Sequence, residues 1–376
     1  MVELIWDNKK EMLEEVNSKD FLKTDKYFEY CKEESKNFDT TENLYIEGDN
    51  LDALKLLQKD YNNKIKMIYI DPPYNTERKF IYNDTFRNKR KKECRHSGWL
   101  NMMYPRLRLA RNLLTEDGVI FISIDDNEEN NLKNLCNEVF GSHNFVAKLI
   151  WTNKEGGGSS DSKFFRIKHE YILCYSKEFE LLNIHGTEIS NMERYTMKDE
   201  FINVRGPYYL QKLGMGSIQY SSSLDYEIKA PDGTKIKPMD NNGGKKACWR
   251  WSKDKFKWGV ENGFIVIKQD SNKIWTVYSK QYLNCDNNGK IIKRTQRPFG
   301  VIEKYSSTQA AKYLDTIGLK ESFNYSKPKE LIKFLIELVI DDNSIVLDFF
   351  SGSATTAHAV MQLNAEDKGS RKFIMV

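Results

Sequence analysis

Lys66-Met67-Ile68-Tyr69-Ile70-Asp71-Pro72-Pro73-Tyr74-Asn75-Thr76 reads as a short buried strand running into an acid and a rigid corner. β-Branched and aromatic residues fill Ile68, Tyr69 and Ile70 without a polar break. Ligands of open α/β sheets bind beyond the carboxyl ends of the strands, which puts Asp71 where chemistry is expected. Pro72 and Pro73 lack N–H groups and hold the preceding residues extended, so the corner cannot fold back into a helix. Tyr74 adds an aromatic face beside a carboxylate and a free carbonyl. This set suits a planar base with an exocyclic amino group: the Asp71 carboxylate and the Pro72 carbonyl each accept one N–H, and Tyr74 stacks on the ring. A bland reading also stands at this point, a Pro-Pro turn whose Asp caps a local N–H.

The bulk numbers leave room for both readings. The chain has 376 residues, enough for two domains, with 30% charged and 40% apolar residues. A net charge of only +4 means that any basic surface for nucleic acid must be local. The six cysteines are scattered without a C-x-x-C pair, which suggests neither a zinc site nor a disulfide framework and fits a reducing cytoplasm. No metal is expected. No secretory signal is visible, and no apolar run approaches the ~20 residues of a membrane span.

Residues 1–41 form a charged extension with a surface helix expected from Lys9 to Val16. Residues 42–178 read as the first half of an α/β core. Leu44-Tyr45-Ile46 is a strand ending at Asp49, and Leu51, Leu54, Leu56 and Leu57 give the next helix its apolar face. Asp49 and Asp71 should therefore end adjacent or near-adjacent strands. Lys89, Arg90, Lys91 and Lys92 lie in a polar run, either a solvated loop or a phosphate grip. A helix is expected over Trp99–Leu114, strands over Val119–Ile124, Val146–Thr152 and Glu170–Tyr175, and a lid in Gly156–Ser160. From 179 to 305 the strand–helix alternation stops, which suggests an inserted, β-containing domain. Its densest part holds Trp249, Arg250 and Trp251, either contacts for a nucleic-acid backbone and bases or a small core with lysines outside. Residues 306–376 resume the α/β pattern. Lys327-Pro328 precedes a helix, and Ser344 to Ala357 is a strand, an acid (Asp348), a small-residue turn and a helix start. The spacing of a dinucleotide fingerprint is absent.

Asp71-Pro72-Pro73-Tyr74 together with Asp348-Phe349-Phe350-Ser351-Gly352 resembles the paired motifs of S-adenosylmethionine-dependent amino-methyltransferases. With the catalytic motif first, the order is similar to the β class of DNA adenine-N6 methyltransferases. The modification subunits of type III restriction–modification systems resemble the chain most, from about residue 42 to its end. Glu42 to Leu51, Ile120 to Glu128, His169 to Leu173, Trp249 to Ser252 and Ser326 to Pro328 share in this likeness.

The resemblance implies a doubly wound α/β methyltransferase (Rossmann-like) sheet, mostly parallel with an antiparallel edge strand, carrying an inserted mixed α/β recognition domain. It implies methyl transfer from S-adenosylmethionine to N6 of a flipped-out adenine in double-stranded DNA. Asp71, Pro72, Pro73 and Tyr74 are the implied catalytic set; Ser in place of Asp71 would have pointed to cytosine N4. Asp348, Phe350, Gly352, Lys327 and Pro328 would line the pocket for the methionine portion, and Asp49 would contact the cofactor's adenine. Lys89, Arg90, Lys91, Lys92, Trp249, Arg250 and Trp251 are the implied DNA contacts. A homodimer and a helicase–endonuclease partner subunit are also implied. Ala354 departs from the second Gly of many relatives, and the chain stops before an acid that relatives use for the cofactor ribose. A truncated form with weakened cofactor binding is therefore expected. Two other classes remain open, a DNA-recognition and assembly subunit with impaired catalysis and an amino-methyltransferase with a non-DNA acceptor.

Overall fold

The structure is a computed structural model that describes residues 4–76, 94–154, 164–215, 219–238, 246–270, 272–323 and 326–376. The chain divides into two compact units, one of residues 1–185 and 298–376 and the other of residues 186–297.

The first unit is built on an eight-stranded sheet. Its strands are β1 (Leu44–Tyr45), β2 (Ile65–Ile70), β3 (Leu114–Ile124), β4 (Phe145–Trp151), β5 (Glu170–Ser176), β6 (Val301–Ile302), β7 (Ile345–Asp348) and β8 (Lys372–Met375). They lie in the order β1-β8-β7-β2-β3-β5-β4-β6. All pairings are parallel except the two made by β5, with β3 and with β4. The antiparallel strand is therefore interior, a correction to the expected edge position. The added pairing of β6 with β4 carries the sheet two strands past β5.

The alternation along β2 shows how the sheet is buried on both faces. Ile68 and Ile70 join one cluster with α2 (Asn50–Tyr61), α3 (Arg95–Leu113) and α4 (Glu129–Phe140), to which Leu57, Trp99, Leu107 and Leu132 among others contribute. Met67 and Tyr69 join the opposite cluster with α6 (Lys329–Glu337) and α7 (Thr355–Asp367) through Leu331, Leu335, Val360 and Leu363. Between α4 and α6, α5 (Ser307–Thr316) follows β6 along the chain. A period of two in the strand thus feeds two helical layers, the doubly wound arrangement. Fully burying each Leu or Ile contributes about 1.5–3 kcal/mol. The N-terminal segment belongs to this unit as well. Met12 and Val16 of α1 (Lys9–Asn17), with Trp6 and Phe21, join the first cluster, and the Trp6 indole donates to Asn101 at 2.7 Å.

The unit boundaries lie inside the expected 179 and 305. Leu182 and Ile184 pack on the second cluster, the His185 amide donates to the Leu338 carbonyl at 2.7 Å, and β6 is part of the main sheet. These contacts keep the flanks with the first unit.

The second unit has a three-stranded antiparallel sheet, with Trp275–Tyr282 between Ile265–Gln269 and Tyr208–Lys212. Its core gathers Trp249, Trp251, Phe264 and Tyr282. Gly259, on the helix Lys253–Glu261, faces the Trp251 ring so closely that a Cβ would lie 2.5 Å from it.

Candidate active site

Asp71 leaves the end of β2 as expected, and the corner behind it is fixed by buried polar contacts. The Trp99 indole donates to the Pro73 carbonyl at 2.6 Å. Asn75 adopts left-handed φ of 57°, a conformation Asn tolerates better than most side chains. Its fully buried amide donates to Glu128 Oε1 at 2.5 Å and to the Arg95 carbonyl at 3.2 Å. Glu128 is itself buried and also meets Asn131 Nδ2 and His96 Nδ1, each at 2.7 Å. Breaking a network of this kind leaves a buried charge short of partners, so the corner is held rigidly on the starts of α3 and α4.

The functional groups at the corner form one cluster. Lys327 Nζ donates to both Asp71 carboxylate oxygens at 2.8 Å and to the Tyr74 hydroxyl at 2.9 Å, with Glu170 Oε2 at 3.5 Å. The Tyr74 hydroxyl lies 2.9 Å from Asp71 Oδ1 and 3.2 Å from Glu170 Oε2. Asn153 Nδ2 donates to Glu170 Oε1 at 2.6 Å. Burial pulls the Lys327 ammonium down, but the Asp71 and Glu170 carboxylates outweigh it and hold the group above its ordinary value. Burial, then the same two carboxylates, pushes the Tyr74 phenol well up, so it stays protonated. Behind them the Tyr69 hydroxyl pairs with Ser123 at 2.8 Å.

β7 lies next to β2, so Asp348 ends the strand beside the one that ends at Asp71. The Asp348 carboxylate accepts from the Phe350 amide at 3.0 Å and from Thr356 Oγ1 at 2.6 Å. Burial pushes its pKa up to about 7 against these bonds, with a smaller push from the Asp71 charge. The turn that follows has Gly352 at φ 50° and Ala354 at φ 57°. A Cβ on Gly352 would meet nothing nearer than the Phe350 carbonyl at 3.8 Å, so the turn is open at that point. Ala354 in this conformation costs roughly 1 kcal/mol relative to Gly. The Ser326 hydroxyl meets Ser353 at 2.8 Å and Thr355 at 2.9 Å, tying the segment of Lys327 and Pro328 to this turn.

Asp49 is placed differently from the expectation. β8 and β7 separate its strand from β2, because β8 pairs between β1 and β7. Asp49 Oδ1 caps α2 by accepting from the Leu51 and Asp52 amides at 2.9 and 3.2 Å. Asn50 next to it reaches the Phe349 carbonyl at 2.6 Å and accepts from Arg106 Nε at 2.6 Å, which links α2 and α3 to the Asp348 turn.

The cluster thus brings together Asp71, Pro72, Pro73, Tyr74 and Lys327, and through Ser326 the turn with Asp348, Phe350 and Gly352. Lys327 sits on the Asp71 carboxylate, not solely beside the turn. Trp249 and Trp251 are corrected: both rings are buried in the core of the second unit, and the Trp249 indole donates to the Tyr226 carbonyl at 2.7 Å. Arg250 between them is exposed. The expected contacts Lys89, Arg90, Lys91 and Lys92 and the Gly156–Ser160 lid lie outside the described residues. Residue patterns missed Glu170, Asn153, Asn75, Glu128 and Asn50. Glu170 opens the antiparallel strand β5, whose reversed direction brings its start to the edge where the parallel strands end.

Residues 65–375 match the family model described as DNA methylase, of the N6/N4 type, and the chain belongs to that family. It is 34% identical to the type III restriction–modification enzyme EcoPI Mod subunit of Escherichia phage P1, covering 92% of this chain and 58% of that protein. It is likewise 34% identical to the StyLTI Mod subunit of Salmonella typhimurium, over 91% of this chain and 53% of that protein. The type II methyltransferase M.KpnI of Klebsiella pneumoniae is 29% identical, with 93% of this chain and 84% of that protein covered. The chain therefore spans about half the length of the Mod subunits it matches.

Proposed function

We propose that the protein transfers the methyl group of S-adenosylmethionine to N6 of a flipped-out adenine in double-stranded DNA. The observation that carries this reading is the adjacency of two strand ends. Asp71 with its Pro-Pro-Tyr corner ends β2, and Asp348 with its open small-residue turn ends the neighbouring β7.

The residues fit the proposed cofactor. The turn at Gly352 leaves room for close backbone approach, and the acids Asp71, Glu170 and Asp348 suit a ligand with sulfonium and ammonium charges. Asp348, Phe350, Gly352, Lys327 and Pro328 would hold it, with Asp49 at the N-terminal cap of α2. When bound, the cofactor supplies an electrophilic methyl group on a sulfonium.

The rest of the chemistry belongs to the protein. An adenine amino group is a weak nucleophile because its lone pair is delocalised into the ring. Its two N–H groups donating to the Asp71 carboxylate and the Pro72 carbonyl favour a more tetrahedral nitrogen in the transition state. The Tyr74 ring gives the extruded base a stacking face. The rigid Asn75–Glu128 support keeps the acceptors in place, so positioning supplies much of the acceleration.

The likeness to Mod subunits supports a role as the modification subunit of a type III system, with a homodimer and a restriction subunit as partners and residues 186–297 selecting the target sequence. The test is incubation with mixed genomic DNA and methyl-labelled S-adenosylmethionine, followed by digestion to nucleosides. Label in N6-methyldeoxyadenosine is expected; label in N4-methyldeoxycytidine, or none, overturns the reading.

A further inference from the structure

Three of the roughly four lone-pair sites of the Asp71 carboxylate are engaged before any amino group arrives. Both of its oxygens accept from the Lys327 ammonium at 2.8 Å, and Oδ1 is also within reach of the Tyr74 hydroxyl. The three N–H groups of Lys327 are matched by three short acceptors, the two Asp71 oxygens and the Tyr74 oxygen, leaving Glu170 at 3.5 Å. The Tyr74 hydroxyl has one proton and two carboxylates within hydrogen-bond distance, so it donates fully to only one of them. Glu170 is thus a second acceptor for both groups, already lying less than 1 Å beyond hydrogen-bond distance from the ammonium. Asn153 holds the other Glu170 oxygen at 2.6 Å, so the side chain keeps Oε2 aimed into the cluster.

We propose that Glu170 is a positioning residue that takes Lys327 and the Tyr74 proton off Asp71 when the acceptor amino group docks. This rests on the methyltransferase reading above and deepens it by assigning the step that unmasks the carboxylate. With Glu170 in place the ammonium stays paired throughout, and the exchange needs only a small rotation of one lysine end. Without it, the incoming amino group must displace a buried ammonium that has no other carboxylate within ion-pair distance among the described residues. Losing a buried charged partner is far more costly than exchanging one.

The test is a double-mutant cycle on kcat and KM, using duplex DNA carrying a site mapped from the genomic methylation experiment. Glu170→Gln keeps the size of the side chain and its bond with Asn153. With Lys327 present, it should lower kcat about 10- to 100-fold, the equivalent of one charge-assisted hydrogen bond, with KM for the duplex unchanged within about threefold. In a Lys327→Gln background the same change should alter kcat less than about threefold, because the ammonium is gone and only the single Tyr74 hydroxyl bond to Oδ1 is left to exchange. A second readout is binding of duplexes with adenine or purine at the target. Wild type should prefer the base that bears the amino group, and Glu170→Gln should lose that preference.

Equal losses of kcat in both backgrounds, or a retained preference for adenine over purine, overturn the assignment. No methyl incorporation by the wild type overturns the transferase reading, and the assignment with it. Wild-type incorporation with an unchanged Glu170→Gln rate overturns the assignment alone.

Discussion

Replacing Asp348 by Asn should stabilise the protein at pH 8 while removing a group that the proposed function needs. The folded carboxyl is raised from an ordinary 3.8 to about 7, chiefly by burial. Between those values the folded state binds more protons than the unfolded state, so this group's contribution to stability falls as pH rises. Above pH 7 the full cost is present, about 4 kcal/mol from the separation of the two values. An amide of the same shape carries no charge to desolvate and can still accept from the Phe350 amide and pair with Thr356. The variant should therefore melt about 5–10 °C higher than wild type at pH 8, with the advantage shrinking towards pH 5. Thermal unfolding followed by circular dichroism at both pH values reads this directly. A variant that melts lower at pH 8, or one whose advantage is the same at pH 5, would refute the burial argument.

The remaining predictions concern the ligand and the second unit. If ionised Asp348 receives the ammonium of S-adenosylmethionine, cofactor affinity by calorimetry should weaken up to about tenfold per pH step below 7, and a flat profile would contradict this. Trp249→Ala should destabilise residues 186–297 by about 3–5 kcal/mol, seen as early proteolysis in that unit; an unaltered digestion pattern would mean that the ring does not hold the core.

The sheet was readable because β2, β3 and β7 each contain an apolar run (residues 67–70, 119–122 and 345–347), the pattern of strands covered on both faces. Strand direction leaves no such mark. The apolar residues of β5 fit an edge or an interior position equally, and β6 is only two residues long, so its extension of the sheet could not be foreseen. The corner at Asp71 was legible as a site because its residues are contiguous. Its supports were not. Lys327 lies 256 residues from Asp71, and Glu128 lies 53 from Asn75, and only folding joins them. The Trp249-Arg250-Trp251 piece could be read either way because its burial comes from a bend that composition does not mark. The strand Cys248–Trp249 ends at the first tryptophan, and the bend at Arg250 and Trp251 returns the second ring to the core and leaves the arginine outside.

The central claim is that the Asp71 corner is the acceptor site for methyl transfer to adenine. The measurement that tests it most directly compares wild type with Asp71→Ala for labelled methyl incorporation into genomic DNA, alongside DNA binding and thermal unfolding. The account predicts N6-methyladenine from wild type, a loss of at least about 100-fold in the variant, and binding and folding that persist. Undiminished incorporation by a folded Asp71→Ala protein would contradict it and move the chemistry elsewhere in the chain.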